Sequence, residues 1–428
     1  MTNQKHLKSR VRARMARTGE SYASARAHVV AGGGPAGGAS SQPGTAATHG
    51  VHAETTAIRS LATAAGVAIP EELALVVGGG LGAGAFVFHY PDFSSLYLAG
   101  QGSFDHNARF VRSGLERLGL AVDVAETGGA AAARRNLEEA LANGPAIAWC
   151  DFVTLGTRGI PPGMAGGGYH VVVVRSIDTA NGVATIEDLR PAETVELERL
   201  AEARARIAKD RNRVISVSGR SGEADLAAAT ASGLRAMVDG LRNPRSSTFG
   251  IGAFERLADR LTSDRGREAR TVVFPRGRRL WVGLRSIYEF VETYGTGGGL
   301  MRPLFARGLE LAATDGGQPA LAEAAERYAS IGREWSAFAG AALPASERLF
   351  AETRQALDAR VDRFRAGATI EEMRWLSDRL DQLADEAADD FPLTEEESVE
   401  LLADLAARLR EIAAAERAAL DVLEAAIG

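Results

Sequence analysis

The sequence predicts an α+β half followed by an all-α half, and three observations carry that expectation. Strand-like runs rich in β-branched residues, "YHVVVVRSI" (169–177) and "VATIEDL" (183–189), stand before about residue 220. Beyond it Leu, Ala, Ile and Phe recur at intervals of three and four, with Gly and Pro between the periodic stretches. At 428 residues the chain is also long for one core, since domains usually run to about 100–200 residues.

The elements follow in order. Residues 1–30 carry Lys5, Lys8, Arg10, Arg12, Arg14, Arg17 and Arg26 against Glu20 alone, and read as a basic helical arm that is solvated or that touches nucleic acid or an acidic partner, the solvated reading being favoured because no aromatic interleaving accompanies the charge. Residues 31–50 ("AGGGPAGGASSQPGTAATHG") are a Gly, Ser and Pro linker with too little apolar surface to order itself. A first domain is expected over 51–217. Its first helix places Ala57, Ile58, Leu61 and Ala65 on one face, sets Glu54 in the first turn where a negative charge suits the helix dipole, and ends at Gly66 and Pro70. "AIAWCDF" (146–152) and the two runs above read as strands, and four consecutive valines, Val171–Val174, indicate a strand buried on both faces. A second, helical domain is expected over 218–428. Its last helix opens on Thr394 and Glu397 at capping-box spacing and carries Leu401, Leu405, Leu409, Ile412, Leu420, Leu423 and Ile427, a stripe suited to packing within its own bundle or to homo-oligomerisation.

Composition narrows the function classes. A net charge of -6 gives no reason to expect nucleic-acid binding by the whole chain. Cys150 is the single cysteine, so no intrachain disulfide forms and a cytoplasmic setting is expected. The longest predominantly apolar uncharged run, Leu73–Phe88, is shorter than the roughly 20 residues of a membrane span and is broken by glycines. The seven histidines show no ligand spacing with cysteine or paired acids, so no metal site is expected.

Three segments could carry chemistry together: "HAETTA" (52–57) at a helix start, "GGGYHVVVV" (166–174) entering a buried strand, and "TIEDL" (185–189) on the next strand. In a papain-type arrangement a cysteine sits at a helix N-terminus, where the dipole lowers the thiol pKa, a histidine on a neighbouring strand takes its proton, and an Asp or Asn orients the imidazole. Here His170 and Asp188 are the candidates for base and orienter. Register decides whether they meet. A two-residue turn at Asn181 and Gly182 would pair Asp188 with Arg175 and face it away from His170. A five-residue loop over Asp178–Gly182 would pair Ile177 with Val183 and Asp188 with Val172, diagonal to His170 on the same face, and it matches the apolar residues better.

In this order "HAETTAIRSLATAAGV", "GGGLGAGAFVFHY", "GYHVVVVRSID" and "TIEDLRP", then "FGIGAFERLA", "YGTGGGLMRPLF" and the Trp335 region, resemble the butirosin biosynthesis protein H family over roughly residues 50–345. The resemblance implies a papain-like, cysteine-peptidase-type α+β domain followed by an all-α helical domain. It implies acyl transfer from a carrier-protein thioester to an amine, with His170 as base and Asp188 as orienter. The usual cysteine position falls on Ala53, a degenerate nucleophile position, with His52, Glu54, Thr55, Gly79 and Gly80 expected to line the site. Thr55 and Thr56 offer only weakly acidic hydroxyls, and Cys150 lies in an apolar strand. A route without a protein nucleophile remains, in which His170 deprotonates an amine that attacks a bound thioester directly.

Two weaker signals complete the reading. "GGGLGAG" (78–84) has GxGxxG-like spacing without the flanking unit of a dinucleotide loop, and Gly79 and Gly80 read as backbone beside a cleft. "GTGGG" (295–299) before Arg302 reads either as a helix–helix turn or as a ligand loop in which Gly297, Gly298 and Arg302 cradle an anion such as the phosphate of a carrier's phosphopantetheine arm. No tightly bound cofactor is expected; an acyl carrier protein and a small-molecule amine are the expected partners. Two function classes stand: an acyltransferase-like protein of natural-product metabolism without a cysteine nucleophile, and a catalytically degenerate relative that binds a small molecule or a partner protein.

Overall fold

Helix α1 (Ala53–Ala64) begins where the Gly-rich stretch ends and stops at Gly66, whose φ of +80° suits a residue without a Cβ. The computed structural model describes residues 50–89, 94–102, 107–265 and 269–428, so the expected basic arm and all of the linker but Gly50 lie outside the described residues. Pro70 precedes α2 (Glu71–Gly78), and the apolar run from Leu73 to Phe88 divides between this helix and strand β1 (Leu81–His89). Gly79 and Gly80, at φ +127° and +62°, make the turn between them. β1 pairs antiparallel with β2 (Ser94–Gln101). At Gly82 a Cβ would stand 2.1 Å from the Gln101 carbonyl oxygen, so the close approach of the two backbones requires glycine.

After α3 (Asn107–Arg117) the chain builds a sheet of six antiparallel-paired strands: β3 (Leu120–Ala125), β4 (Ala146–Asp151), β5 (Tyr169–Asp178), β6 (Val183–Glu187), β7 (Glu193–Glu196) and β8 (Val214–Arg220), in the order β3-β8-β4-β5-β6-β7. Helices α4 (Ala130–Leu141), α5 (Phe152–Leu155) and α6 (Leu197–Arg206) occupy the connections. Every residue of β4 is buried, as are Val171–Val174 of β5. Alternation divides them. Trp149, Val171 and Val173 enter the core that holds Ile58 and Leu61 of α1, while Cys150, Val172 and Val174 pack with Leu137 of α4 and Leu200 of α6. Burying each of these valines is worth roughly 1.5–3 kcal/mol relative to leaving it exposed, which fixes the strand in register and on both faces.

The remainder is helical: α7 (Leu226–Arg242), α8 (Gly252–Thr262), α9 (Arg270–Val273), α10 (Arg278–Tyr288) continued by a π-helical turn over Glu289–Thr293, α11 (Arg302–Thr314), α12 (Ala322–Ala342), α13 (Arg348–Arg365), α14 (Ile370–Asp389) and α15 (Glu395–Ile427). Mixed α/β structure followed by helices is the expected class. The expected boundary at 217/218 falls inside β8, and one core runs from α1 through Trp149 to Trp335 and Leu423, so the described residues form one compact unit. Thr394 and Glu397 cap α15 reciprocally. Its Leu405, Leu409, Ile412 and Leu420 are buried and its main neighbours are α8 and α12, so the stripe faces its own helices. No helix among the described residues is long and apolar enough to cross a membrane.

Candidate functional site

Ala53 is the first residue of α1, and a buried carboxylate shapes the turn before it. Glu71 of α2 accepts the Val51 N–H at 3.0 Å and the His52 N–H at 2.9 Å, and its Oε1 lies 2.9 Å from the Thr55 hydroxyl and 3.3 Å from that of Thr56. A negative charge behind a helix N-terminus is favoured by the dipole. His52 is the N-cap: its Nδ1 accepts weakly from the Thr55 N–H at 3.4 Å while Nε2 meets Glu54 at 3.1 Å. That pairing makes Nε2 the protonated nitrogen. Thr55 is fully buried and its hydroxyl is turned to Glu71 and the His52 carbonyl, so it supports the turn from beneath instead of lining a cleft.

The second group lies at the start of β5. His170 Nε2 is 2.7 Å from Asp188 Oδ1, with side-chain exposures of 10% and 1%. Two lone pairs would repel at that distance, so Nε2 carries a proton and Nδ1 is the nitrogen left to accept a second one. The register behind this pair differs from the expected one by two compensating steps. Asp178, and not Ile177, pairs with Val183; an irregularity between Val174 and Ser176 then returns the ladder to Val173 opposite Glu187, leaving Asp188 next in line. Asp178 also closes the turn, its Oδ1 accepting the N–H groups of Ala180 and Asn181.

Arg158, absent from the sequence reading, completes the group. Its Nη2 donates to Asp188 Oδ2 at 3.0 Å and approaches His170 Nε2 to 2.9 Å, and its guanidinium lies over the rings of Phe152 and Phe364 at 4.8 and 4.6 Å. Burial by itself would raise the Asp188 pKa; the positive charges of His170, an imidazolium in the acid range where Asp188 titrates, and of Arg158, with the hydrogen bonds of both, outweigh it and hold the carboxyl well below the usual range. Cys150 stands opposite His170 across the strands, and burial, reinforced by Asp188, pushes its thiol up, leaving it protonated and inert.

Tyr294, beyond the π-helical turn, borders both groups. Its ring meets Phe152 at 6.4 Å, and Phe152 meets His170 edge-on at 6.0 Å. Burial pushes the Tyr294 phenol up to about 12, and the charges of Arg158 and Glu54 both reach it. Tyr97 packs on Phe290 and Tyr294 with its own phenol raised by burial, then by Tyr294 and Glu54. Thus the fold joins His170 to Asp188 and gathers His52, Glu54, Thr55 and Glu71 about Ala53. By strand alternation His170 belongs to the Cys150 and Val172 face, opposite the face on which α1 packs. No hydrogen bond or ion pair joins the two groups among the described residues.

Two expectations are corrected. Gly79 and Gly80 are buried in the α2–β1 turn; a Cβ on them would meet Phe110 or Met237 and Phe305, so they pack the core instead of edging a cleft. Arg302 is fully buried, its Nε 2.6 Å from Glu416 Oε1, with Nη1 and Nη2 donating to the carbonyls of Leu300 and Gly82. That guanidinium is committed inside the core. Beside Gly298 the Glu292 carboxylate already takes the Gly299 N–H at 3.4 Å, a negative charge where an anion was expected. The loop instead seats Gly297 against Val51, just ahead of Ala53.

Fold and site together define a mixed α/β domain with a buried His–Asp pair, extended by a helical region. Residues 52–189 match the family described as Butirosin biosynthesis protein H, N-terminal, and residues 196–361 match Domain of unknown function (DUF4872). The two matches, in this order, support a butirosin biosynthesis protein H-like family, and the first suggests a biosynthesis-related protein. A comparison with curated proteins found no match.

Proposed function

We propose that this chain is an acyltransferase-like protein of papain-like fold in which His170, oriented by Asp188, serves as general base without a protein nucleophile. The observation that carries the reading is the 2.7 Å contact of Nε2 with Asp188, which leaves Nδ1 as the proton acceptor. In the proposed step an amine nitrogen of a small-molecule acceptor attacks the carbonyl of a carrier-protein thioester. Its proton passes to Nδ1, the C–S bond breaks, and the departing thiolate recovers the proton from His170, giving an amide and a free thiol. A thioester is already activated, so Ala53 at the nucleophile position does not stop the chemistry. The phosphopantetheine arm of an acyl carrier protein is the donor's natural form in this reading.

A second reading, a degenerate relative that binds a small molecule or a partner protein, is favoured by Ala53 itself. Single-turnover transfer from an acyl thioester to an amine separates them. The first reading expects transfer that His170→Ala lowers by about 10²–10⁴-fold, the usual contribution of a general base. Absence of transfer with every carrier thioester offered would leave the binding reading.

A further inference from the structure

We infer that Arg158, held in place by Phe364 of the helical region, is a positioning residue that keeps the His170 imidazole neutral and ready to accept a proton. This rests on the reading of His170 as a base. Nε2 already gives its proton to Asp188, so Nη2 of Arg158, 2.9 Å from the same nitrogen, is a donor facing a donor. A fixed positive charge there opposes the imidazolium, while the bond to Asp188 Oδ2 at 3.0 Å draws off part of the carboxylate that would favour it. Both effects act in one direction: Arg158 lowers the proton affinity of His170.

The helical region holds the guanidinium where it is. Phe152 and Phe364 cover it at 4.8 and 4.6 Å, the first from the sheet domain and the second from α13. The loop carrying Arg158 is anchored by its next residue as well. Gly159, at φ +63°, packs so closely on α14 that a Cβ would lie 2.6 Å from the Arg374 backbone nitrogen. Arg190, from the Asp188 loop, donates to the Ala368 carbonyl at 3.3 Å between α13 and α14. The α13–α14 hairpin therefore grips both loops that bring charge to His170. The other titratable groups in electrostatic reach of Arg158 or Asp188 include Cys150, Glu193, Tyr294 and Arg360, and the Arg190 guanidinium lies over the same Phe364 ring at 5.2 Å. Cys150 and Tyr294 stay neutral near pH 7, and all five are common to the variants compared below.

The test is the NMR titration of the His170 ring in the full chain, labelled at histidine and assigned through His170→Gln. In Arg158→Gln the midpoint rises by about one pH unit or more, as expected for loss of an adjacent like charge. Arg158→Lys, which keeps the charge without the fork, raises it less, and Phe364→Leu, which frees the guanidinium, shifts it in the same direction as Arg158→Gln. A residue with a purely structural role would move the unfolding transition without moving this midpoint. An unchanged or lowered midpoint in Arg158→Gln overturns the inference; should that variant not fold, the same outcome in Phe364→Leu does so. The titration needs no substrate. A shifted midpoint without transfer activity would leave Arg158 its role and remove the acyl-transfer reading, and transfer without a shift would do the reverse.

Discussion

Replacing Glu71 tests whether the turn before Ala53 is held by one carboxylate. Glu71→Ala removes the acceptor of two backbone N–H groups, on Val51 and His52 at 3.0 and 2.9 Å, and of the Thr55 and Thr56 hydroxyls. Thr55 has a second acceptor in the His52 carbonyl at 3.0 Å, so its loss counts little. Hydrogen bonds to a charged acceptor are worth about 1.5–3 kcal/mol each, and two such bonds set a loss of about 3–5 kcal/mol. Water reaching half-buried Val51 trims the upper end. Glu71→Gln keeps one oxygen but brings an NH₂ group against N–H donors, and should cost about 1–3 kcal/mol. Urea unfolding followed by circular dichroism reads both values, provided the slope stays unchanged. A loss under about 1 kcal/mol in Glu71→Ala would refute the reasoning, because it would mean that water or a rearranged turn replaces the carboxylate freely.

Two further outcomes follow from buried charge. Glu416 Oε1 accepts from Arg302 Nε at 2.6 Å and from Trp335 Nε1 at 3.0 Å with almost no solvent access, so Glu416→Ala should lose about 3–5 kcal/mol by stranding the guanidinium, while Arg302→Met with Glu416→Leu should recover much of it; equal losses in the single and double variants would contradict this. The depressed Asp188 pKa implies a pH dependence. Its folded value lies below the unfolded one of about 3.9, so its contribution is present above that pH and is lost as pH falls toward the folded value. The stability gap between the native chain and Asp188→Asn should therefore narrow below about pH 4, and a gap that persists undiminished at pH 3 in matched unfolding curves would argue against the pairing.

The fold class and the main strands were legible because their patterns are local. Val171–Val174 cannot belong to a half-exposed strand, and Thr394 with Glu397 marks a helix start within four residues. Asp188 reached the neighbourhood of His170 by a partly wrong route: the turn is one residue shorter than expected, and the irregularity beside Arg175 restores the count, a detail that alternation of apolar residues does not encode. β1 and β2 went unread because Gly82, Gly84 and Gly100, which look like loop residues, are there to let backbones and side chains approach. Arg158 and Glu71 were invisible for a different reason. Each acts on partners 12 to 30 residues away, and an Arg between two loop residues or a Glu after a proline has an unremarkable solvated reading until the fold buries it. Arg302 erred the opposite way, since a Gly-rich loop next to a cation suggests an anion site and nothing local announces Glu416, 114 residues later.

We propose that the turn at Ala53 and the pair at His170 serve one site: strand alternation sets His170 on the face opposite α1 and no hydrogen bond joins the two groups among the described residues, but Tyr294 borders both. The pH dependence of alkylation of Ala53→Cys, with Cys150 as the buried slow control, tests it most directly. The expected thiol has a pKa well under the ordinary value of about 8.5 and reacts fast near neutral pH, with a return toward that value when His170→Ala is added. A thiol that titrates near 8.5 and ignores the His170 substitution would contradict it.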